Sequence, residues 1–337
     1  MRPPILIIGN GRSGTNWLMA NLNASPETFC RNEPQEIATS PFQALVGHCL
    51  STRSSELEEH WEHFLEWSAR HYGERDARHG CAKAYLHPLA FSSGLADLPL
   101  RPRARAALKW IWPPLRRSEW PMPFWIGSPR RLGQARLVLK INDMPARLVE
   151  WVMDHHPEVP LLHIVRAPGG QLNSGLRRFF NHLDEGQRAA EERLYKDELI
   201  ASQQQSDHWR RVVPDVENLD LVEAVAWFWR VHNESIWEAA QARRHASYLR
   251  IVYERLISDF DTLLPEVFRF CSLELDPDTE KRARASRTGS HRGRTGTSPD
   301  WLATKWKTEL DDRTKQISVD VLKGSPMADW WREESQQ

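Results

Sequence analysis

The sequence lacks the marks of a disulfide scaffold, a metal-ligand framework and a membrane protein. Its four cysteines, Cys30, Cys49, Cys81 and Cys271, are scattered without any C-x-x-C spacing, so they read as reduced thiols. His60, His63 and His71 share one amphipathic stretch but form no H-E-x-x-H pair; they read as solvated side chains, and no metal is expected. Net charge is absent too. The 45 basic residues balance 45 acidic ones, which removes any global field that would favour nucleic acid or an anionic membrane as a partner. The first apolar run, residues 5–8, is far shorter than the ~20 residues of a membrane-spanning helix and reads as a strand. No signal peptide or membrane span is expected, and the expected location is cytoplasmic.

What is present is a strand, a glycine-rich turn and a helix start, all within residues 2–21 (R-P-P-I-L-I-I-G-N-G-R-S-G-T-N-W-L-M-A-N). Backbone N–H groups at such a helix N-terminus point at an anion, and the helix dipole favours negative charge there. Two patterns overlap in the turn. Gly9-x-Gly11-x-x-Gly14 satisfies the dinucleotide fingerprint, with Glu33 about 20 residues on as a ribose-binding acid. Gly9-x4-Gly14 also has the spacing of a nucleoside-triphosphate loop, but Thr15 stands where that loop needs Lys. An ordinary ATPase or kinase is therefore not indicated. The cation lies inside the turn instead, at Arg12, which suits a loop wrapped round one phosphate-like group.

Strand, turn and helix then recur. Residues 28–32 form a short strand ending at Glu33-Pro34, which sets the Glu33 carboxylate at the carboxyl edge of the sheet, where open α/β sheets bind ligands. A helix is predicted over 55–72, a strand over 136–141, and a helix over 146–156 with Asp143 as its candidate cap. A strand over 161–165 leads into a second turn at Arg166, then a helix over 171–180 with Ser174 near its start. Residues 185–213 read as charged, solvated helix. The helix over 221–244 carries Trp227, Trp229 and Trp237 as a core-facing stripe, and a fifth strand over 247–252 precedes Tyr253 and a helix over 261–271. Residues 282–294, dense in Arg, Ser and Gly, read as a flexible loop, with apolar spacing resuming at Trp301, Trp306 and Leu310.

The predicted class is α/β, a central parallel sheet of about five strands flanked by helices. At 337 residues one domain with insertions or two domains would fit; the reading adopted is a single domain over 1–337. It carries a Trp/Pro/Arg-rich insertion at 74–135 and a helical insertion at 185–245. The first insertion reads equally as a lid or acceptor wall and as stacked core tryptophans. Two separated anion turns on one sheet suit a nucleotide phosphorylated at two places, such as a 3′,5′-bisphosphate.

At these motifs the sequence resembles the sulfotransferases that use 3′-phosphoadenosine 5′-phosphosulfate (PAPS), a P-loop-like α/β family. Residues 11–18 look like their 5′-phosphosulfate loop, which implies cofactor contacts for Arg12, Ser13, Gly14, Thr15, Asn16 and Trp17. Residues 165–174 look like their 3′-phosphate signature, with Arg166 and Ser174 eight positions apart. Tyr253-Glu254-Arg255-Leu256 resembles the segment whose Tyr lies near adenine, and Arg292-Gly293-Arg294 is similar to the final cofactor loop.

The resemblance implies in-line sulfuryl transfer to an acceptor hydroxyl or amine, with adenosine 3′,5′-bisphosphate as product and no metal. Arg12 and Lys140 would stabilise the transferring group. Cytosolic members place a His in a Lys-Thr-His-Leu-Pro segment; in residues 140–145 here the Lys matches and the His is absent. Carbohydrate-type members use a Glu before Pro, matched by Glu33-Pro34, so Glu33 is the expected general base and Asp143 the reserve. The implied acceptor is a small molecule, carbohydrate or peptide. Two other readings stay open: an NAD(P)-dependent oxidoreductase using the glycine fingerprint, and a non-catalytic nucleotide-binding protein.

Overall fold

The computed structural model describes residues 2–50, 54–70, 135–288 and 299–331. Five parallel strands, β1 (Ile5–Gly9), β2 (Thr28–Asn32), β3 (Arg136–Asn142), β4 (Leu161–Val165) and β5 (Tyr248–Val252), form one sheet in the order β2-β3-β1-β4-β5. The class predicted from the apolar runs is the class observed. In chain order the helices among the described residues begin with α1 (Thr15–Ala24), α2 (Phe42–Leu50), α3 (Ser54–Arg70), α4 (Ala146–His155) and α5 (Pro168–Arg178). Then come α6 (Glu185–Gln205), α7 (Asp207–Val212), α8 (Leu221–Arg243), α9 (Tyr253–Ser258) and α10 (Phe260–Phe270). The last are α11 (Pro277–Thr288), α12 (Pro299–Thr304), α13 (Trp306–Glu309) and α14 (Asp312–Asp320).

Alternation along each strand sends its side chains to two separate cores. Leu6, Ile8, Leu137, Leu139 and Ile141 pack with Phe42, Trp61, Phe64, Leu148 and Val152 of α2, α3 and α4. Ile5, Ile7, Val138, Leu162 and Ile164 pack on the other face with Leu18 of α1 and Phe260, Leu264 and Phe268 of α10. Helices cover both faces, so the strands can be apolar without interruption. Polar side chains are buried among them, including Arg31 and Asn32 in β2, His163 in β4 and the cation Lys140 in β3, whose register neighbours are Ile7 and Asn32.

Several local expectations are corrected. α2 was not anticipated, although Phe42, Leu45, Val46 and Cys49 follow helical spacing and face the first core. Because α2 packs on α3, His60 is half-buried and stacks on His48 with ring centroids 4.0 Å apart; only His63 is the exposed side chain expected, and His71 lies outside the described residues. Asp143 does not cap α4: the cap residue is Pro145, and Asp143 sits at φ 52 with its carboxylate turned elsewhere. α5 begins at Pro168, ahead of the predicted Gln171, as suits a proline at a helix's first position. Residues 282–288 are the end of α11 and not loop. Of the tryptophan stripe only Trp229 is fully buried; Trp227 and Trp237 are partly covered. The Trp-rich insertion lies outside the described residues apart from Ala135.

Candidate active site at the carboxyl edge of the sheet

Two glycines shape the first turn for a physical reason. A Cβ on Gly9, at φ 149, would stand 2.3 Å from the Ile164 carbonyl oxygen, and one on Gly14, at φ 104, would fall 2.4 Å from the Tyr253 ring. Gly14 is the cap residue of α1 and no side chain caps that helix, so its N-terminus keeps the character of an anion cradle. Arg12 takes a left-handed conformation at φ 77. Ser13 is buried and spends its hydroxyl on the Asn10 carbonyl at 2.7 Å, holding the turn's shape. Asn16 Oδ1 is buried with no hydrogen-bond partner among the described residues, and Trp17 lies edge-on to Phe260 at 5.6 Å.

The second turn is fastened directly to the first. Arg166 Nη1 donates to the Arg12 carbonyl at 3.2 Å, Arg12 Nε donates to Ser174 Oγ at 3.0 Å, and Gln171 Nε2 donates to the Gly11 carbonyl at 2.7 Å. The Arg166 guanidinium lies 4.5 Å over the Tyr253 ring, and its buried Nε has no hydrogen-bond partner among the described residues. Glu254, fully buried one residue on, accepts from Ala167 N–H and from Trp331 Nε1 at 3.0 Å. Burial pushes the Glu254 carboxyl up, against the Trp331 hydrogen bond and the Arg166 charge, which pull it down. Burial likewise pushes the Tyr253 phenol up. Lys305, between α12 and α13, belongs to the same group of cations: burial lowers its pKa, and Arg166, Arg177 and Arg12 add to that while Glu309 opposes it.

Sequence reasoning missed Lys305. A lysine beside two tryptophans in a short helical tail carries no motif.

Glu33 closes the edge. It adopts φ 54, its side chain is 15% exposed, and its Oε1 accepts from Lys140 Nζ at 2.5 Å and from Asn142 Nδ2 at 2.7 Å. Lys140 Nζ also donates to Asn32 Oδ1 at 3.0 Å. Asn142 Oδ1 in turn accepts from Thr15 Oγ1 at 3.0 Å, so one asparagine ties Glu33 to the anion loop. Through Glu33 and Asn142, Lys140 is linked to the glycine loop.

Asp143 ends a chain of donors that no sequence pattern announced. A carboxylate only accepts, which fixes the direction of every bond behind it. Asn10 Nδ2 donates to Asp143 Oδ1 at 2.8 Å, Asn233 Nδ2 to Asn10 Oδ1 at 2.6 Å, and His163 Nε2 to Asn233 Oδ1 at 3.0 Å. With the ring neutral, as burial driving its pKa down to about 3 requires, His163 Nδ1 accepts from Tyr248 O–H at 2.8 Å. The imidazole thereby keeps one tautomer. Gly11 N–H adds a longer bond, 3.4 Å, to Asp143 Oδ2. Asp143 thereby anchors the glycine loop.

The model of the sulfotransferase family matches residues 3–277, most of the chain. This chain belongs to the sulfotransferase family. No curated protein matches this sulfotransferase's sequence. Among solved structures, it is similar to the sulfotransferase domain from the Synechococcus PCC 7002 olefin synthase, at 17% identity and TM-score 0.41, covering 94% of this chain and 93% of that one. It is also similar to the sulfotransferase domain from the curacin biosynthetic pathway, at 14% identity and TM-score 0.44, covering 95% and 98%. A sulfotransferase from Alicyclobacillus acidocaldarius matches at 12% identity and TM-score 0.36, covering 94% and 99%. These likenesses are too distant to add to the family match. Of the residues expected at this sulfotransferase's site, the first and second turns, Glu33, Lys140 and Tyr253 come together at one sheet edge; Arg292 and Gly293 lie outside the described residues. Among the described residues no helix is long and apolar enough to cross a membrane.

Proposed function

We propose that this transferase moves a sulfuryl group in line from PAPS to an acceptor hydroxyl or amine and releases adenosine 3′,5′-bisphosphate. The observation that carries the reading is the direct fastening of the two anion turns, Arg12 to Ser174 and Arg166 to the Arg12 carbonyl. A donor with phosphates at both ends of one ribose needs two such sites at a fixed separation. The orphaned Arg166 Nε and the uncapped α1 supply donors of the right kind.

In this reading α1 and the loop amides hold the 5′-phosphosulfate, while Arg166, Ser174 and Lys305 hold the 3′-phosphate against Tyr253. As the acceptor oxygen bonds to sulfur, the bond from sulfur to the bridging phosphate oxygen breaks, and negative charge grows on that oxygen. Arg12 and the loop N–H groups stabilise that charge. Glu33 takes the acceptor's proton. Lys140 and Asn142 both donate to its Oε1 and keep it in register with the loop. Asp143 is the reserve candidate; it accepts from Asn10 and Gly11 and so holds the glycine loop. A dinucleotide reading would need Glu33 turned to a ribose, whereas its carboxylate faces Lys140 and Asn142.

Release of adenosine 3′,5′-bisphosphate from PAPS, followed by anion-exchange chromatography across a panel of sugar, phenol, peptide and amine acceptors, tests the reading. Acceptor-dependent release supports it. Tight binding of the bisphosphate with no release in any mixture would favour the non-catalytic alternative.

A further inference from the structure

One residue past Asn233 on α8, a buried carboxylate is served on one oxygen only. Glu234 has a side chain 1% exposed. Its Oε2 accepts from Arg230 Nε at 3.0 Å and from Ser325 Oγ at 2.5 Å. The Arg230 head group is otherwise spent on the Val321 and Lys323 carbonyls. Oε1 has no hydrogen-bond partner among the described residues, and a bare buried carboxylate oxygen is costly.

What faces that oxygen is an imidazole nitrogen. His208 Nε2, on α7, lies 3.7 Å from Glu234 Oε1, too far for a hydrogen bond, and it too lacks a hydrogen-bond partner among the described residues. Glu238, one turn on from Glu234 along α8, completes the group: one ligand atom from each of the three lies within 4.8 Å of the others. Zinc–nitrogen and zinc–oxygen bonds of about 2.0–2.2 Å put neighbouring ligands of a tetrahedral ion about 3.3–3.6 Å apart, close to the His208–Glu234 separation, so binding requires the Glu238 carboxylate to swing in. The positions of the helices are already set, because Trp209 beside His208 is buried and donates from Nε1 to Ser235 Oγ at 3.1 Å.

We propose that His208, Glu234 and Glu238 form a site for a divalent ion of the zinc class, with water as fourth ligand, that braces α7 against α8. One imidazole and two carboxylates suit zinc, or cobalt as its spectroscopic substitute, better than calcium or magnesium, which take oxygen ligands alone. The site is independent of the proposed sulfuryl transfer.

The full chain, stripped of metal by chelator and dialysis, would be titrated with Zn²⁺ by calorimetry and with Co²⁺ by visible absorption. His208→Ala and Glu238→Gln remove ligands and leave the Glu234 Oε2 hydrogen bonds from Arg230 and Ser325 in place. His60→Ala controls for the other His/Glu group, His48, Glu56 and His60. The expected result is that both ligand variants bind at least tenfold more weakly, while His60→Ala keeps this site. Zinc should also raise the Tm of the wild type and not that of His208→Ala. No uptake by the wild type would overturn the proposal. So would equal uptake by all variants, which would mean an adventitious ion only.

Discussion

In the proposed reaction Glu33 is the base and Arg166 a 3′-phosphate ligand, and single substitutions separate the two roles. Glu33→Gln keeps the acceptor of the Lys140 and Asn142 hydrogen bonds but removes the base. Binding of adenosine 3′,5′-bisphosphate should stay nearly intact, while turnover falls on the order of 10²–10⁴-fold, the usual worth of a positioned base. Loss of binding in equal measure would make Glu33 a ligand-holding or structural residue. Arg166→Ala deletes a charged donor beside Tyr253. It should weaken the bisphosphate about tenfold to a hundredfold, and AMP far less, since only the former carries the 3′-phosphate. Equal weakening of both would show that Arg166 acts only by holding the Arg12 carbonyl.

His163 offers a test by pH. Its folded pKa, about 3, lies far below the unfolded value of 6.5 because burial disfavours the charged ring. The unfolded chain therefore binds the extra proton first. The stability tied to a neutral His163 is complete above pH 6.5 and is lost as pH falls toward 3, by up to about 1.4 kcal/mol per pH unit. Urea unfolding between pH 7.5 and 4.5 should show a shallower decline for His163→Gln than for the wild type. Parallel declines would mean that the ring is already protonated, or accessible to protons, in the folded state.

At the scale of elements, the α1 turn has little tolerance. Gly14→Ala forces a side chain onto a φ of 104 and into the Tyr253 ring, so it combines backbone strain with a clash. A loss of about 1–3 kcal/mol in stability is expected, read as a lower urea midpoint, together with weaker bisphosphate binding. Unchanged binding would mean that the turn adapts without help from Tyr253.

The elements also show what could be read in advance. All five strands were legible, because strands buried on both faces leave short, mostly apolar runs such as residues 5–8 and 161–165, the latter broken only by His163. The two turns were legible because each is a contiguous motif after a strand. α2 escaped for lack of a strong boundary signal, though its Phe42, Leu45, Val46 and Cys49 spacing was there to find. Asp143 was misread as a helix cap because its true partner, Asn10, is more than a hundred residues away. The chain from Tyr248 through His163, Asn233 and Asn10 joins residues from four separate parts of the sequence. No local pattern carries that kind of information, and Lys305 was hidden for the same reason.

Across the whole molecule, the parallel sheet gathers the ends of β1, β2, β3 and β4 on one edge, with Tyr253 just past β5. Charge follows the same geometry. The chain is neutral overall, yet Arg12, Arg166, Arg177 and Lys305 act on one another at that edge, as the direction of the Lys305 shift reflects. A neutral protein with a local cationic cleft is suited to a small polyanion and not to an extended one. The most direct test of this account is calorimetric titration of the whole chain with adenosine 3′,5′-bisphosphate, set against AMP and NADH. The account predicts saturable binding at micromolar concentration, selective for the bisphosphate over both. Absence of binding, or a preference for NADH, would contradict it.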